Sequence, residues 1–98
     1  MIYAVTFQIK DDDSRDERLQ SVAATVRQQA LGVWEEINSV MVIESNKTTD
    51  ELTQAIYLDS KFDGSKDSLV VIGLSYQHYV ARGVIEQPAA LAQLMARR

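Results

Sequence analysis

The chain has 98 residues, of which 46% are hydrophobic and 24% are charged, and these proportions are typical of one folded domain. It has 0 cysteines, so disulfides are excluded. Lysine and arginine total 10 against 14 aspartates and glutamates, which gives a net charge of −4. Because affinity for a nucleic-acid backbone is built from clustered cations, this balance makes a nucleic-acid partner uncertain. We expect a single domain over residues 1–98.

The first segment, residues 2–9, is rich in β-branched and aromatic residues and predicts a strand. It has neither a basic region before it nor a small-residue cleavage site after it, so we do not expect it to be an export signal. No apolar run approaches the roughly 20 residues that span a bilayer. The sequence therefore predicts a cytoplasmic protein without a membrane partner.

Two capping-box patterns predict where the main helices begin. Ser14 and Glu17 have the S-x-x-E spacing, and Thr48 and Glu51 repeat it with threonine. The first helix is expected to end just before Gly32, a residue that adopts positive φ without steric cost. The second helix is expected to be shorter. The apolar stripe of the first helix consists of Leu19, Val22, Ala23, Val26 and Ala30.

Three further extended segments accompany the helices. Residues 33–37 and 40–44 are separated by two turn-favouring residues and predict a hairpin or one bent strand. Glu35 and Glu36 are expected to be charges that block the edge of this strand. Residues 69–74 form a continuous apolar run, typical of a strand that is central in its sheet or covered on both faces. Residues 76–84 could extend that strand or add an edge strand.

The C-terminal part, about residues 76–98, is expected to be an appendage ending in a helix that starts near Pro88. The predicted fold class is α+β, a ferredoxin-like βαββαβ domain with an antiparallel sheet and two helices on one face. The other face then needs cover, from a second copy in a homodimer, which we favour, or from the C-terminal helix. The large side chains expected to lie under this dimer or sheet cover are Tyr3, Val5, Phe7, Trp34, Met41 and Val70.

The first strand carries a family resemblance. Its sequence, Tyr3-Ala4-Val5-Thr6-Phe7-Gln8-Ile9, resembles that of the virulence-associated protein D family of small ribonucleases and is similar to that of the small CRISPR-associated adaptation-subunit nucleases. The resemblance implies a ferredoxin-like homodimer in which an aspartate after the strand-one aromatic brings a divalent metal to a phosphodiester. Gln8 stands at that position here. A neutral amide lacks the anionic oxygen that Mg²⁺ prefers and cannot accept a proton near neutral pH.

Two functions follow from this departure. The leading hypothesis is a non-catalytic, homodimeric interaction module without a metal or cofactor, for which a protein partner is possible. The alternative is a toxin-like, metal-dependent endoribonuclease, with Mg²⁺ as cofactor, in which Asp11, Asp12 or Asp13 supplies the missing carboxylate. A simpler interpretation of these aspartates is that carboxylates are favourable at a helix N-terminus. The single histidine, His78, has no partners arranged for nucleophilic catalysis.

Overall fold

The computed structural model describes residues 1–35, 39–74 and 87–96. Within them the fold is α+β, with one four-stranded antiparallel sheet and three helices. The predicted element at 76–84, together with His78, lies outside the described residues, as does the end of the predicted strand at 33–37. The elements in chain order are β1 (Ile2–Gln8), α1 (Arg15–Gln29), β2 (Gly32–Trp34), β3 (Val40–Glu44), α2 (Thr49–Asp59), β4 (Ser68–Leu74) and α3 (Pro88–Ala96).

The strands lie side by side in the order β2-β3-β1-β4, and every pairing is antiparallel. β1 is central, with Val5 opposite Met41 on one side and Val71 on the other. β3 lies between β1 and β2, and β1 lies between β3 and β4. α1 and α2 therefore each link two strands that have a third strand between them.

The prediction that residues 69–74 form a central or doubly covered strand is wrong for the described sheet. β4 has one neighbour there, β1, and therefore lies at the edge. Val70 and Ile72 point to the outer face and are 52% and 48% exposed. The run reads as continuously apolar because the inner face packs on the helices while the outer face keeps apolar side chains that no described element buries.

The inner face of the sheet forms the main core with α1 and α2. Alternate residues of β1 point to this face because successive side chains in a strand alternate between faces. The apolar stripes of both helices meet them, as the spacing of the helical residues predicted. The buried members of this core are Tyr3, Val5, Phe7, Ile9, Val22, Val26, Met41, Ile43, Leu52 and Ile56.

The outer face is partly covered by α3, which packs on β2 and β3. Trp34 and Val42 are buried there against Leu91, Leu94 and Met95. The sequence leaves two candidates to cover this face, the C-terminal helix and a second copy of the chain. The C-terminal helix supplies part of that cover. No helix among the described residues is long and apolar enough to cross a membrane.

The helix ends follow the predictions in part. The capping box of α2 is confirmed, because Glu51 N donates to Thr48 Oγ1 at 3.2 Å and Thr48 N donates to Glu51 Oε1 at 2.9 Å. At α1 the predicted capping box is wrong: Ser14 is the N-cap, but its side chain makes no cap hydrogen bond. The predicted role of Gly32 is wrong too, since the helix already ends at Ala30 in extended backbone and Gly32 begins β2.

The missing cap at α1 has a local cause. The Ser14 hydroxyl is engaged with Asp12 and Arg18 rather than with the first turn of the helix. The Glu17 carboxylate, which would complete the box, accepts a hydrogen bond from Lys61. Two neighbouring side chains for Ser14 and one distant side chain for Glu17 therefore replace the capping-box hydrogen bonds.

Candidate functional site at the end of β1

A buried ion pair joins α1 to the start of β4. Arg18 Nε donates to Asp67 Oδ2 at 3.0 Å and Arg18 Nη2 donates to Asp67 Oδ1 at 3.1 Å. The side chains are 6% and 0% exposed. Asp67 also accepts the backbone N–H groups of Lys10, at 2.9 Å, and Asp63, at 3.0 Å. One carboxylate therefore fixes three segments: α1, the residues after β1, and the turn before β4.

The protonation of Asp67 is decided by two opposing effects. Burial raises its pKa, because a low-dielectric environment disfavours the anion. The hydrogen bonds from Arg18 and from the backbone of Lys10 and Asp63 stabilise the anion and outweigh burial. The pKa of Asp67 consequently lies below its ordinary value of 3.8, and Asp67 beside Arg18 raises the pKa of the guanidinium.

Asp12 is part of the same network. Its Oδ1 accepts from Arg18 Nη1 at 2.9 Å and from Ser14 N at 3.0 Å, and its Oδ2 accepts from Lys66 Nζ at 2.9 Å. Arg18 first and Lys66 second hold the pKa of this carboxylate well below its usual range. Two cations thus already neutralise Asp12, and a divalent ion would have to displace both of them.

An open cleft of about 740 Å³ lies beside this network, at the end of β1. Three cationic side chains and one carboxylate contribute to its wall, together with two serines and an amide. Ser39 has a positive φ of 73°, a conformation uncommon for residues other than glycine, and its carbonyl accepts the Phe7 N–H at 3.0 Å. The lining residues are Gln8, Ile9, Lys10, Asp11, Arg15, Ser39, Lys66 and Ser68.

The structure places the predicted metal-site residues unequally around this cleft. Gln8 is exposed, lies opposite Ser68 in the sheet register, and lines the cleft with Asp11. Asp12 is turned to Arg18 and Lys66, and Asp13 is exposed. Within residues 1–35, 39–74 and 87–96, no group of three or more histidines, aspartates and glutamates could hold a metal ion.

The residues predicted to lie under sheet or dimer cover separate into two groups. Tyr3, Val5, Phe7 and Met41 are buried in the core beneath α1 and α2. Trp34 is buried on the outer face beneath α3. All five are therefore buried within one chain, and only Val70 remains on the exposed outer face.

The sequence did not identify the third cation of the cleft. Lys10 and Arg15 lie close together in the chain near the acidic run, but Lys66 lies in the turn before β4. Its approach to Asp12 depends on the fold, because the two residues are 54 positions apart. Only the pairing of β1 with β4 brings these segments to one end of the sheet.

No protein-family profile matches this chain, and a search of curated proteins finds no match.

Proposed function

We propose that this protein is a non-catalytic, homodimeric interaction module of ferredoxin-like architecture. The strand order β2-β3-β1-β4, in which each β-α-β unit is split by a third strand, supports that architecture. The observation that carries the functional proposal concerns β4. This strand is long and has no charged residue, and its outer face exposes apolar side chains.

Within residues 68–74, the edge of β4 lacks the charges, prolines and bulges that prevent strand association. Its seven residues, Ser68–Leu74, include no charged residue and no proline. They pair with β1 in an uninterrupted register from Gln8 opposite Ser68 to Ile2 opposite Leu74, so no bulge interrupts the strand. Natural proteins usually protect long edges with charges, proline or bulges. β4 is therefore suited to pair with another strand.

The adjoining outer face has matching chemistry. Val70 and Ile72 lie opposite Thr6 and Ala4 in the register and share their face of the sheet. Because α3 packs on β2 and β3, this half of the face lies beside the helix rather than under it. The occupant that we propose is a second copy of the chain, since closed two-fold dimers are the commonest oligomers and a strand edge can pair with itself in antiparallel orientation.

The absence of catalysis in this proposal depends on two residues. Gln8 places a neutral amide in the cleft where the resemblance implies a metal-binding carboxylate. The carboxylate of Asp12 forms ion pairs with Arg18 and Lys66, which neutralise its charge. Neither residue offers a free anionic oxygen to a metal.

The dimer is tested by solution molar mass. Light scattering at micromolar concentration should give twice the chain mass of 11.0 kDa. The double variant Val70→Lys/Ile72→Lys should give the mass of one chain, because two cations on each copy would repel across the interface. The matched control is Leu31→Lys, which places a charge at another exposed apolar residue, beside β2, and should leave the dimer intact. A monomeric parent protein would refute the proposal.

The ribonuclease alternative needs a separate assay. The parent protein incubated with RNA and Mg²⁺ or Mn²⁺ should produce no cleavage that a chelator abolishes. The variant Gln8→Asp restores the carboxylate implied by the resemblance and serves as the comparison. Chelator-sensitive cleavage by the parent that disappears in Asp11→Asn or Asp13→Asn would replace the interaction module with an enzyme.

A further inference from the structure

We infer that the cleft at the end of β1 binds a terminal phosphate group, as carried by a phosphomonoester or by inorganic phosphate. This inference goes beyond the proposed function and does not depend on it, because the three cations that carry it lie outside β4, although Ser68 is both the first residue of β4 and part of the cleft lining. The observation behind it is the convergence of three cations from three separate segments on one open cleft.

The buried ion pair fixes the backbone segments that carry the cations. Lys10 follows β1, Arg15 is the first residue of α1, and Lys66 lies in the turn before β4. The backbone N–H of Lys10 donates to Asp67, and Arg18 of α1 donates to the same carboxylate. The three segments therefore have a fixed relative position without a ligand. A site organised in advance loses less conformational entropy when it binds.

The charge balance at the wall favours an anion although the whole chain is acidic. Arg18 and Lys66 are matched by Asp12 and Asp67, so these four side chains form a neutral set. Lys10 and Arg15 then face a single carboxylate in the lining, that of Asp11. The closest ion pair of Arg15 is a 3.6 Å contact with the highly exposed Asp16, which solvent screens.

Neutral hydrogen-bond donors complete the wall. Ser39 and Ser68, which carry hydroxyl groups, and Gln8, which carries an amide, line the same cleft. Phosphate oxygens accept hydrogen bonds from hydroxyl, amide and guanidinium groups, and arginine can bind two of them at once. At the position where the resemblance implies aspartate, glutamine thus replaces a group that repels phosphate with one that donates to it.

The acidic surroundings select a terminal phosphate over a nucleic-acid backbone. Asp11, Asp13 and Asp16 are exposed beside the cations. An extended polyanion would meet these carboxylates as it left the cleft, whereas a compact dianion would contact mainly the cations. A phosphomonoester also carries nearly two charges near neutral pH, while a diester carries one.

Titration of the full chain with inorganic phosphate, phosphoserine and dimethyl phosphate, followed by amide NMR shifts, tests the inference. Phosphate and phosphoserine should shift the amides of Gln8, Lys10 and Ser68 saturably, and dimethyl phosphate should bind at least about tenfold more weakly. The variants Lys10→Gln and Arg15→Gln should each weaken phosphate binding by about tenfold, the usual size of a lost charge-assisted contact. The matched control, Lys47→Gln, removes the same charge near the start of β1, where the Lys47 carbonyl accepts from Tyr3 Oη, and should not change the affinity.

Each result separates the possibilities. If phosphate at concentrations up to about 10 mM caused no saturable shift of the amide signals, the dissociation constant would be too high for a specific site and the inference would be refuted. An equal loss in Lys47→Gln would reduce it to a general charge effect. Tighter binding of single-stranded RNA without a terminal phosphate than of phosphoserine would replace the terminal phosphate with a nucleic-acid backbone. Val70 lies beside Gln8 and Ser68, so the separation of this site from the dimer surface is tested with the uncharged variant Val70→Asn/Ile72→Asn. Phosphate binding that persists in that variant would separate the two sites, and its loss there would contradict the independence stated above.

Discussion

The two edges of the sheet differ in length, charge and cover. β2 has three residues, its Trp34 is buried under α3, and it is followed by Glu35, whose carboxylate pairs with Arg27. β4 has seven residues without a charge, and Val70 and Ile72 leave its outer face apolar and half-exposed. Shortness, a carboxylate and a covering helix are devices that prevent strand association. The contrast is the reason for proposing association at β4 rather than at β2.

The two edges are also attached to the domain by different kinds of ion pair. At β4 the pair is Arg18 with Asp67, which is buried and completed by backbone donors. At β2 the pair is Arg27 with Glu35, and both of its side chains are 30% or more exposed. Breaking a buried pair leaves an uncompensated charge in a low-dielectric site, whereas breaking an exposed pair leaves a solvated one. The two edges should therefore respond very differently to substitution.

The largest effect is expected from Asp67→Ala. This change leaves Asp12 as the remaining carboxylate partner of the buried Arg18 and leaves two backbone N–H groups unpaired, so the free energy of unfolding should fall by about 3 to 5 kcal/mol. Urea denaturation followed by circular dichroism measures the loss. The control is Asp63→Ala, which removes a carboxylate that accepts hydrogen bonds from Ser65 within the same turn and should cost much less. Equal losses of unfolding free energy in the two variants would show that the buried ion pair contributes no more to stability than the hydrogen bonds within the turn.

A second effect is expected on acidification, and it follows from the same anchor. The pKa of Asp67 is lower in the folded protein than its ordinary 3.8, so the unfolded chain binds more protons than the folded one below that pH. The stabilisation is thus fully present above about pH 4 and is lost as the pH falls through the folded value. Asp12, whose pKa is also lowered, acts in the same direction. Urea midpoints measured between pH 6 and about 2 should therefore fall more steeply for the parent than for Asp67→Asn.

Much of the fold was predictable because its signals are local. The β-branched and aromatic residues of β1, the capping box of Thr48 and Glu51, and the helical start at Pro88 each depend on a few neighbouring side chains, and each is found where expected. The edge position of β4 was not predictable. An apolar run shows that the side chains of a strand favour burial. It does not show how many strands pair with it, because that number depends on the order of strands in the sheet.

The candidate site was less predictable, since its contacts join distant parts of the chain. Arg18 and Asp67 are 49 positions apart, and no pattern near either residue marks the other. Their pairing also explains the failed capping box at Ser14, whose hydroxyl turns to Arg18. Gln8 could be located from the sequence, but its neighbours in the cleft could not.

A smaller effect is expected at the covered edge from Trp34→Phe. Trp34 Nε1 is buried without a hydrogen-bond partner among the described residues, and an unpaired buried donor is unfavourable. Phenylalanine removes that donor but fills less of the space beneath α3. The two effects oppose each other, so stability should change by less than about 1 kcal/mol. The control is Tyr3→Phe, which deletes a 2.6 Å hydrogen bond to the Lys47 carbonyl and should destabilise measurably. A larger loss in Trp34→Phe would show that packing alone governs this edge.

The smallest effect is expected from Glu35→Gln, which removes the ion pair beside β2. Arg27 Nε donates to Glu35 Oε2 at 2.6 Å, and this contact raises the pKa of the guanidinium. Both groups remain solvated, so the pair should contribute less than about 1 kcal/mol, and a double-mutant cycle with Arg27→Gln isolates that energy. At 1 M salt, where the screening length is about 3 Å, the coupling should vanish. The same substitution should leave the molar mass unchanged if the charge is incidental to association, because the shortness of β2 and the cover of α3 still protect that edge. New, concentration-dependent oligomers in Glu35→Gln would show instead that this one carboxylate keeps β2 from associating.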